Sequence, residues 1–304
     1  MENAGIGIIG VGLMGHGIAL NLARKGWRLG FLDHPGNRPV DDLLALGAVR
    51  HDDRRELARA SDAIILCVSG SPQVEDVLLG ETGIIAAARP GTVIIDCSTA
   101  VPSSTGRMAR AAGAAGLRFM DAAMTRTPLE AEAGRLNLLV GADPALFDQA
   151  RPLLSAFAEN ITHAGPVGSG HKLKLVHNYV SLGMITLLAE AAACAKRGGI
   201  APEVLVEVLA KGGGHGAALD RLAPFLLSGD TAKLQFSVAN ARKDLDYYSR
   251  MAGDLAAGHR VADAVLSLLQ SMVEAGHADR LMAEAPLLIG ECGAGDAAMT
   301  GTKV

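Results

Sequence analysis

An α/β domain on a parallel-rich sheet, followed by an all-α domain entered through a long interdomain helix, is the fold class this 304-residue chain predicts. Three observations predict it. From residue 5 to about residue 163, short β-rich runs alternate with helix-like segments, the pattern of strands joined by crossover helices. Beyond Gly170 no such runs recur, and long helical stretches are separated by Gly and Pro, as in KRGGIAPE and AKGGGHG. Between them lies AGPVGSG, residues 164–170, which places the domains at 1–165 and 166–304.

Composition bounds the function classes. With 49% hydrophobic and 20% charged residues the chain can bury one or two sizeable cores. A formal net charge of -4 and 3% aromatic residues argue against a binder of nucleic-acid backbones, which needs a basic face and stacking rings. The N-terminus has no basic secretory stretch, and the most apolar long segment, 173–195, is interrupted by Lys174, His177, Asn178 and Glu190. The expectation is a cytoplasmic protein with neither nucleic acid nor membrane as partner. The four cysteines, Cys67, Cys97, Cys194 and Cys292, lack CxxC pairing and metal-ligand spacing with histidines, so free thiols and no metal site are expected. Cys67 and Cys97 should pack at strand ends.

The strand candidates are GIGIIG, WRLGFLD, DAIILCV, TVIIDCS, LRFMD and RLNLLVG. The first runs into G-V-G-L-M-G, with Gly10, Gly12 and Gly15 at the spacing of a dinucleotide-binding turn, and a helix begins at about Leu13. Gly10 allows the tight turn, Gly12 lets the backbone approach a pyrophosphate, and Gly15 permits close helix packing. The helix N-terminus then offers N–H groups to the phosphates. About twenty residues on, Asp33 ends the second strand, where a carboxylate accepts hydrogen bonds from ribose hydroxyls and repels a 2′-phosphate. NAD is favoured. NADP stays possible, because Arg38 follows shortly and can swing toward a phosphate.

In DAAMTRTPLEAEAG, Thr127, Pro128 and Glu130 form a capping-box start with proline at the first helical position, and Gly134 ends the short helix. Arg126 is left unexplained by this. A cation at the positive end of a helix is unfavourable by about 0.3 kcal/mol or more unless an anion sits between them. The stretch therefore reads both as a helix start and as a clamp, with Arg126, the helix N-terminus and the Thr125 hydroxyl converging on one negative group.

In GSGHKLKLVHNYVS, within a helix expected from about 171 to 196, Lys174 and Asn178 are four apart and share a face, with His177 and Ser181 near it. Few polar residues remain on that helix, so it should be buried between partners and contribute to a subunit interface. Burial would make Lys174 a usable general acid/base; spacing alone leaves open a lysine that merely snorkels, and a packed His177.

Five ordered motifs, GVGLMG, DCSTAVP, DAAMTRTPLEAEAG, GSGHKLKLVHN and RKDL, resemble the β-hydroxyacid dehydrogenases over nearly the whole chain. The resemblance implies a Rossmann domain, a helical domain that forms homodimers or homotetramers, and NAD(P)-dependent interconversion of a small anionic β-hydroxy acid and its semialdehyde or keto form. By position it makes Lys174 the general acid/base and Asn178 the orienter of substrate, with Leu13, Met14, Asp33, Val68, Thr99 and Lys243 lining the cofactor.

This sequence departs from the family where most members carry serine and two glycines, here Thr125, Arg126 and Thr127, and where an asparagine is common, here His177. The loop AKGGGHGAALD lacks the bulky residues often present. Arg126 and KLVHNYVS resemble the 3-sulfolactaldehyde reductase branch, whose substrate head is a sulfonate. Two other readings are a non-catalytic dinucleotide-binding sensor and an imine reductase of similar architecture. The Lys174 and Asn178 pair weighs against both.

Overall fold

The structure is a computed structural model that describes residues 4–290. It comprises two compact units, Met1–Lys174 and Leu175–Val304, which divide inside one long helix.

The first unit holds one eight-stranded sheet: β1 Gly5–Ile9, β2 Arg28–Leu32, β3 Val49–His51, β4 Ala63–Leu66, β5 Val93–Asp96, β6 Arg118–Thr125, β7 Leu136–Gly141 and β8 Ala158–Gly165. Their order is β3-β2-β1-β4-β5-β6-β7-β8. Helices α1 Gly15–Arg24, α2 Asp41–Ala45, α3 Arg54–Ala60, α4 Ser71–Leu79, α5 Pro102–Ala114, α6 Pro128–Glu132 and α7 Pro144–Leu154 accompany it. The mixed α/β class with a Rossmann sheet is as expected.

β1, β4 and β5 are buried along their whole length, as strands covered on both faces must be. Neighbouring residues point to opposite cores. Ile8, Ile65 and Ile95 pack with Ile18 and Leu22 of α1 and Leu153 of α7, whereas Ile9, Ile64 and Ile94 pack with Leu57 of α3, Leu78 of α4 and Met108 of α5.

Two strands were not read from the sequence, and both lie at sheet edges. β3 is three residues long, and β8 (AENITHAG) is mostly exposed and polar, so neither carries an apolar run. β7 runs antiparallel to β6. The connection, residues 126–135, is shorter than the dozen or so residues a parallel crossover needs. Cys67 and Cys97 sit one residue past β4 and β5 as free thiols; Cys292 lies outside the described residues.

α6 is short but firmly set. The Glu130 carboxylate accepts from the Thr127 amide at 3.0 Å and from the Thr127 hydroxyl. At the other end Gly134 is left-handed (φ 67°), Gly134 N–H donates to Ala131 O and Arg135 N–H to Glu130 O, a Schellman ending. Asn21 of α1 donates its amide N–H groups to Ala131 O and Glu132 O, each at 3.0 Å. A Cβ on Gly17 would lie 2.5 Å from the Ala131 carbonyl carbon, so the two helices touch backbone to backbone.

α8 Ser169–Arg197 begins in the first unit, and its first turn is held by the buried Asp121 of β6. Asp121 Oδ1 accepts from Gly168 N–H (2.5 Å) and Oδ2 from His171 N–H (2.7 Å). This is a carboxylate at the positive end of a helix, supplied from a strand. Gly141 and Gly170 let the backbones close around it, since a Cβ at either would come within 3 Å of an Asp121 oxygen.

The second unit contains the rest of α8 with α9 Pro202–Lys211, α10 Ala217–Ser228, α11 Val238–Asp254, α12 Arg260–Glu274 and a 3-10 turn at Met282–Glu284. Leu182, Ile185 and Ala189 of α8 join its core. The helix is less covered than its sequence suggested: Leu173, Val176, Val180, Met184 and Leu187 are exposed as a stripe along one side. Packing within one chain covers only part of an all-round apolar helix. Among the described residues α8 alone is long and apolar enough to cross a membrane, and half of its apolar window is buried inside the protein.

The α1/α6 contact yields a stability test. Gly17→Ala places a methyl against backbone that no rotamer change can move, and should cost about 1–3 kcal/mol in a urea-unfolding experiment.

Candidate active site

The sheet order turns outward on both sides of the β1/β4 pair, and the carboxyl ends of strands flanking such a switch form the ligand crevice of an open α/β sheet. Several residues expected at the cofactor lie on that edge: Gly10 follows β1, Asp33 follows β2, Val68 follows β4 and Thr99 follows β5; Thr125, expected at the substrate, ends β6 on the same edge.

The three glycines of the turn have different causes. Gly10 has φ 97°, and a Cβ there would lie 2.2 Å from Cys67 O; a Cβ on Gly15 would lie 1.9 Å from Gly10 O. The fold demands both. A Cβ on Gly12 would meet nothing closer than Gly36 O at 3.8 Å, so the protein leaves the space above Gly12 open. That opening is what a pyrophosphate needs to reach the backbone. Met14, at the N-cap of α1, makes no side-chain cap hydrogen bond, and the first turn holds no acidic residue, so α1 keeps a positive end suited to phosphate. Leu13 is exposed at the turn, while Met14 packs on the core. The residues present therefore fit a dinucleotide.

The edge beyond β2 shows contacts that sequence did not reveal. Asp33 lies 3.9 Å from Arg50 Nη1, a cation brought in by β3. Arg38, read as free to reach a 2′-phosphate, instead donates to Glu132 Oε1 at 2.6 Å, and its backbone N–H donates to Val11 O. Val68 N–H donates to Ser98 Oγ at 3.1 Å, which ties the loops after β4 and β5 together below Thr99.

At the end of β6, Arg126 has φ 82°, left-handed backbone that costs a non-glycine residue about 1–2 kcal/mol. Its guanidinium is not turned to the start of α6. Nη1 donates to Glu159 Oε2 of β8 and to Arg135 O. Glu159 was not foreseen, because it belongs to the edge strand whose polar sequence hid it.

In the second unit Asn178 is buried, and its Nδ2 donates to Asp244 Oδ2 at 2.6 Å. A carboxylate only accepts, so the Asn178 amide is oriented with Oδ1 toward His177 Nδ1 at 3.0 Å. His177 must donate from Nδ1, which fixes its tautomer. Lys243 Nζ lies 3.5 Å from Asp244 Oδ1. Ser181 is half-buried one turn along the same helix. Asp244 was legible only as the neighbour of Lys243 in RKDL; its burial is what gives it a task. Lys174, half-buried, precedes Asn178 by one turn of α8.

Residues 5–165 match the family described as the NAD binding domain of 6-phosphogluconate dehydrogenase, and residues 168–286 that described as the NAD-binding domain of NADP-dependent 3-hydroxyisobutyrate dehydrogenase. The chain is 35% identical to 2-(hydroxymethyl)glutarate dehydrogenase of Eubacterium barkeri over 79% of either chain. The chain belongs to the 3-hydroxyisobutyrate dehydrogenase-like β-hydroxyacid dehydrogenases.

Another relative of this β-hydroxyacid dehydrogenase is the 3-sulfolactaldehyde reductase of Escherichia coli, 31% identical over 83% of this chain and 84% of that one. A solved structure described as 3-hydroxyisobutyrate dehydrogenase from Salmonella typhimurium superposes with a TM-score of 0.79 at 27% identity, covering 93% and 98% of the two chains. As a β-hydroxyacid dehydrogenase the protein is an NAD(P)-dependent oxidoreductase acting on CH–OH groups.

Two predictions follow from this geometry. Arg126→Gly should be more stable than Arg126→Ala by about 1 kcal/mol in thermal unfolding, because only glycine adopts φ 82° without strain. Burial foremost pushes the Asp96 carboxyl above its usual range, partly offset by His171 and the Ser98 hydrogen bonds. A raised folded-state pKa gives stability that is complete below the unfolded value of about 3.9 and is lost as pH rises toward the folded one. The stability of Asp96→Asn relative to the parent should therefore increase as pH is raised from about 4, read from urea midpoints across pH.

Proposed function

We propose that the enzyme oxidises or re-forms a small β-hydroxy acid with a carboxylate or sulfonate head, with Lys174 as general acid/base and Asn178 as the residue that orients the substrate. The observation that carries this reading is the α8 pair, with Lys174 and the Asp244-oriented Asn178 one turn apart. NAD(P), when bound, supplies the hydride acceptor or donor. In oxidation Lys174 Nζ takes the proton of the substrate hydroxyl as hydride leaves the same carbon, and in reduction it returns that proton to the new alkoxide oxygen. Asn178 and His177 present a fixed pattern of donor and acceptor to the substrate's oxygens. Leu13, Met14, Gly10, Gly12, Gly15, Asp33, Val68 and Thr99 are assigned to the cofactor, and Asp33 favours NAD over NADP. Lys243 is assigned to it from the family resemblance.

The acid head is assigned to the segment Thr125–Arg126–Thr127, with Ser181 also a substrate residue. The exposed stripe from Leu173 to Leu187 supports a homodimer or homotetramer built on α8. Free thiols at Cys67 and Cys97 support a cytoplasmic enzyme.

Lys174→Ala should abolish turnover on a panel of C3 and C4 hydroxy acids bearing carboxylate or sulfonate heads, while NADH binding, followed by fluorescence, is retained. Full activity in that variant would remove Lys174 from the chemistry. Arg126→Gly is compatible with the left-handed backbone and removes the whole side chain, guanidinium included. A rise in KM for the charged substrate, equivalent to about 1.5–3 kcal/mol, assigns it to the acid head, and an unchanged KM assigns it to the Glu159 pair alone.

A further inference from the structure

The most deeply buried ionisable cluster of the first unit lies outside the assigned machinery. His171, Asp96 and Asp121 are each fully excluded from solvent, and they come from α8, β5 and β6. His171 Nε2 is 3.1 Å from Ser98 O and Nδ1 is 2.7 Å from Thr105 Oγ1. A carbonyl oxygen only accepts, so Nε2 carries a proton and donates to Ser98 O, while Nδ1 is hydrogen-bonded to Thr105 Oγ1, whose hydroxyl also reaches Val101 O at 3.3 Å. Each Asp carboxylate has an oxygen 4.0 Å from the ring, and Asp96 Oδ2 has no hydrogen-bond partner.

The placement of the two partners matters more than their number. Ser98 immediately precedes Thr99, and its hydroxyl also receives the Val68 amide. Thr105 lies in the first turn of α5, just beyond the same loop. One imidazole therefore clasps the loop on both sides. The backbone N–H of His171 is anchored at the same time on Asp121, which fixes the start of α8. Packing alone would be met by an apolar side chain; a ring with both nitrogens engaged specifies one orientation.

We propose that His171 is a positioning residue: its imidazole locks the Ser98–Thr99 loop to the first turn of α8 and so sets where Lys174, one turn further on, stands relative to that loop. The proposal rests on the assignment of Lys174 as acid/base. A displacement of about 1 Å in a reacting group can cost on the order of 100-fold in rate, so the clasp should be visible in turnover.

The test uses the full-length enzyme and three variants. His171→Gln keeps an N–H for Ser98 O and a second polar atom for Thr105 Oγ1, His171→Leu keeps neither, and Thr105→Val deletes the hydroxyl alone. With the panel acid that the parent turns over fastest, His171→Leu should lower kcat about tenfold or more while KM for the dinucleotide changes less than about threefold, and His171→Gln should recover most of the loss. Hydrogen exchange needs no substrate: amides of residues 98–101 and 171–175 should lose protection in His171→Leu and keep it in His171→Gln. If His171→Leu does not fold, Thr105→Val must show the same kcat loss and the same exchange at 98–101. The proposal is overturned if the loss is confined to thermal stability, if His171→Gln is as impaired as His171→Leu, or if exchange at both segments is unchanged. Should the parent turn over no panel acid, the dehydrogenase reading fails on its own, and the exchange arm still decides whether the clasp exists.

Discussion

A carboxylate without solvent, Asp121, is the constraint on which the placement of the α8 start depends. It sits at the middle of the sheet's second half and accepts two backbone N–H groups from the segment that becomes a 29-residue helix. A buried charge is tolerated only where hydrogen bonds replace water, and here the helix supplies them while gaining a negative group at its positive end. The glycines at 141 and 170 are consequences of the same demand, since neither position has room for a Cβ beside the carboxylate. The chain thus holds the first turn of its 29-residue helix by a polar contact.

The same economy of backbone recurs at the nucleotide edge. Gly10 and Gly15 are required by the crossing of the chain over itself, and Gly12 by space the protein leaves unfilled. α6 is drawn onto α1 by Asn21 and by the missing side chain of Gly17, so the loop after β6 is held beside the helix that opens from the glycine turn. The glycine-turn edge and the threonine-flanked loop are therefore joined by direct backbone and side-chain contacts within the first unit.

What the sequence disclosed follows from the range over which each signal acts. Local signals were legible: the glycine turn after β1, the Thr127, Pro128 and Glu130 start of α6 with its Gly134 ending, the Lys174 and Asn178 spacing, and the six strands carrying apolar runs. Signals that arise only when distant segments meet were not. Glu159 as partner of Arg126 depends on an edge strand too polar to be recognised, Arg50 reaches Asp33 through a strand of three residues, and Asp244 acquires its meaning from Asn178, 66 residues earlier. The antiparallel turn of β7 was hidden because chain length between strands, rather than the strands themselves, decides direction. Arg126 shows both sides: its identity marked it as exceptional in a helix-start sequence, but the destination of its guanidinium was set elsewhere.

The left-handed backbone at Arg126 decides which side chains the position can hold at little cost. Exchange between arginine and glycine at this position needs no backbone rearrangement in this chain, because the loop is anchored independently by Glu130, Gly134 and Asn21. A single codon change can then add or remove a guanidinium at the mouth of the loop for about 1–2 kcal/mol of conformational energy. The position behaves as an interchangeable fitting on a fixed mount, open to variation in charge and reach while the cap beneath it stays as it is.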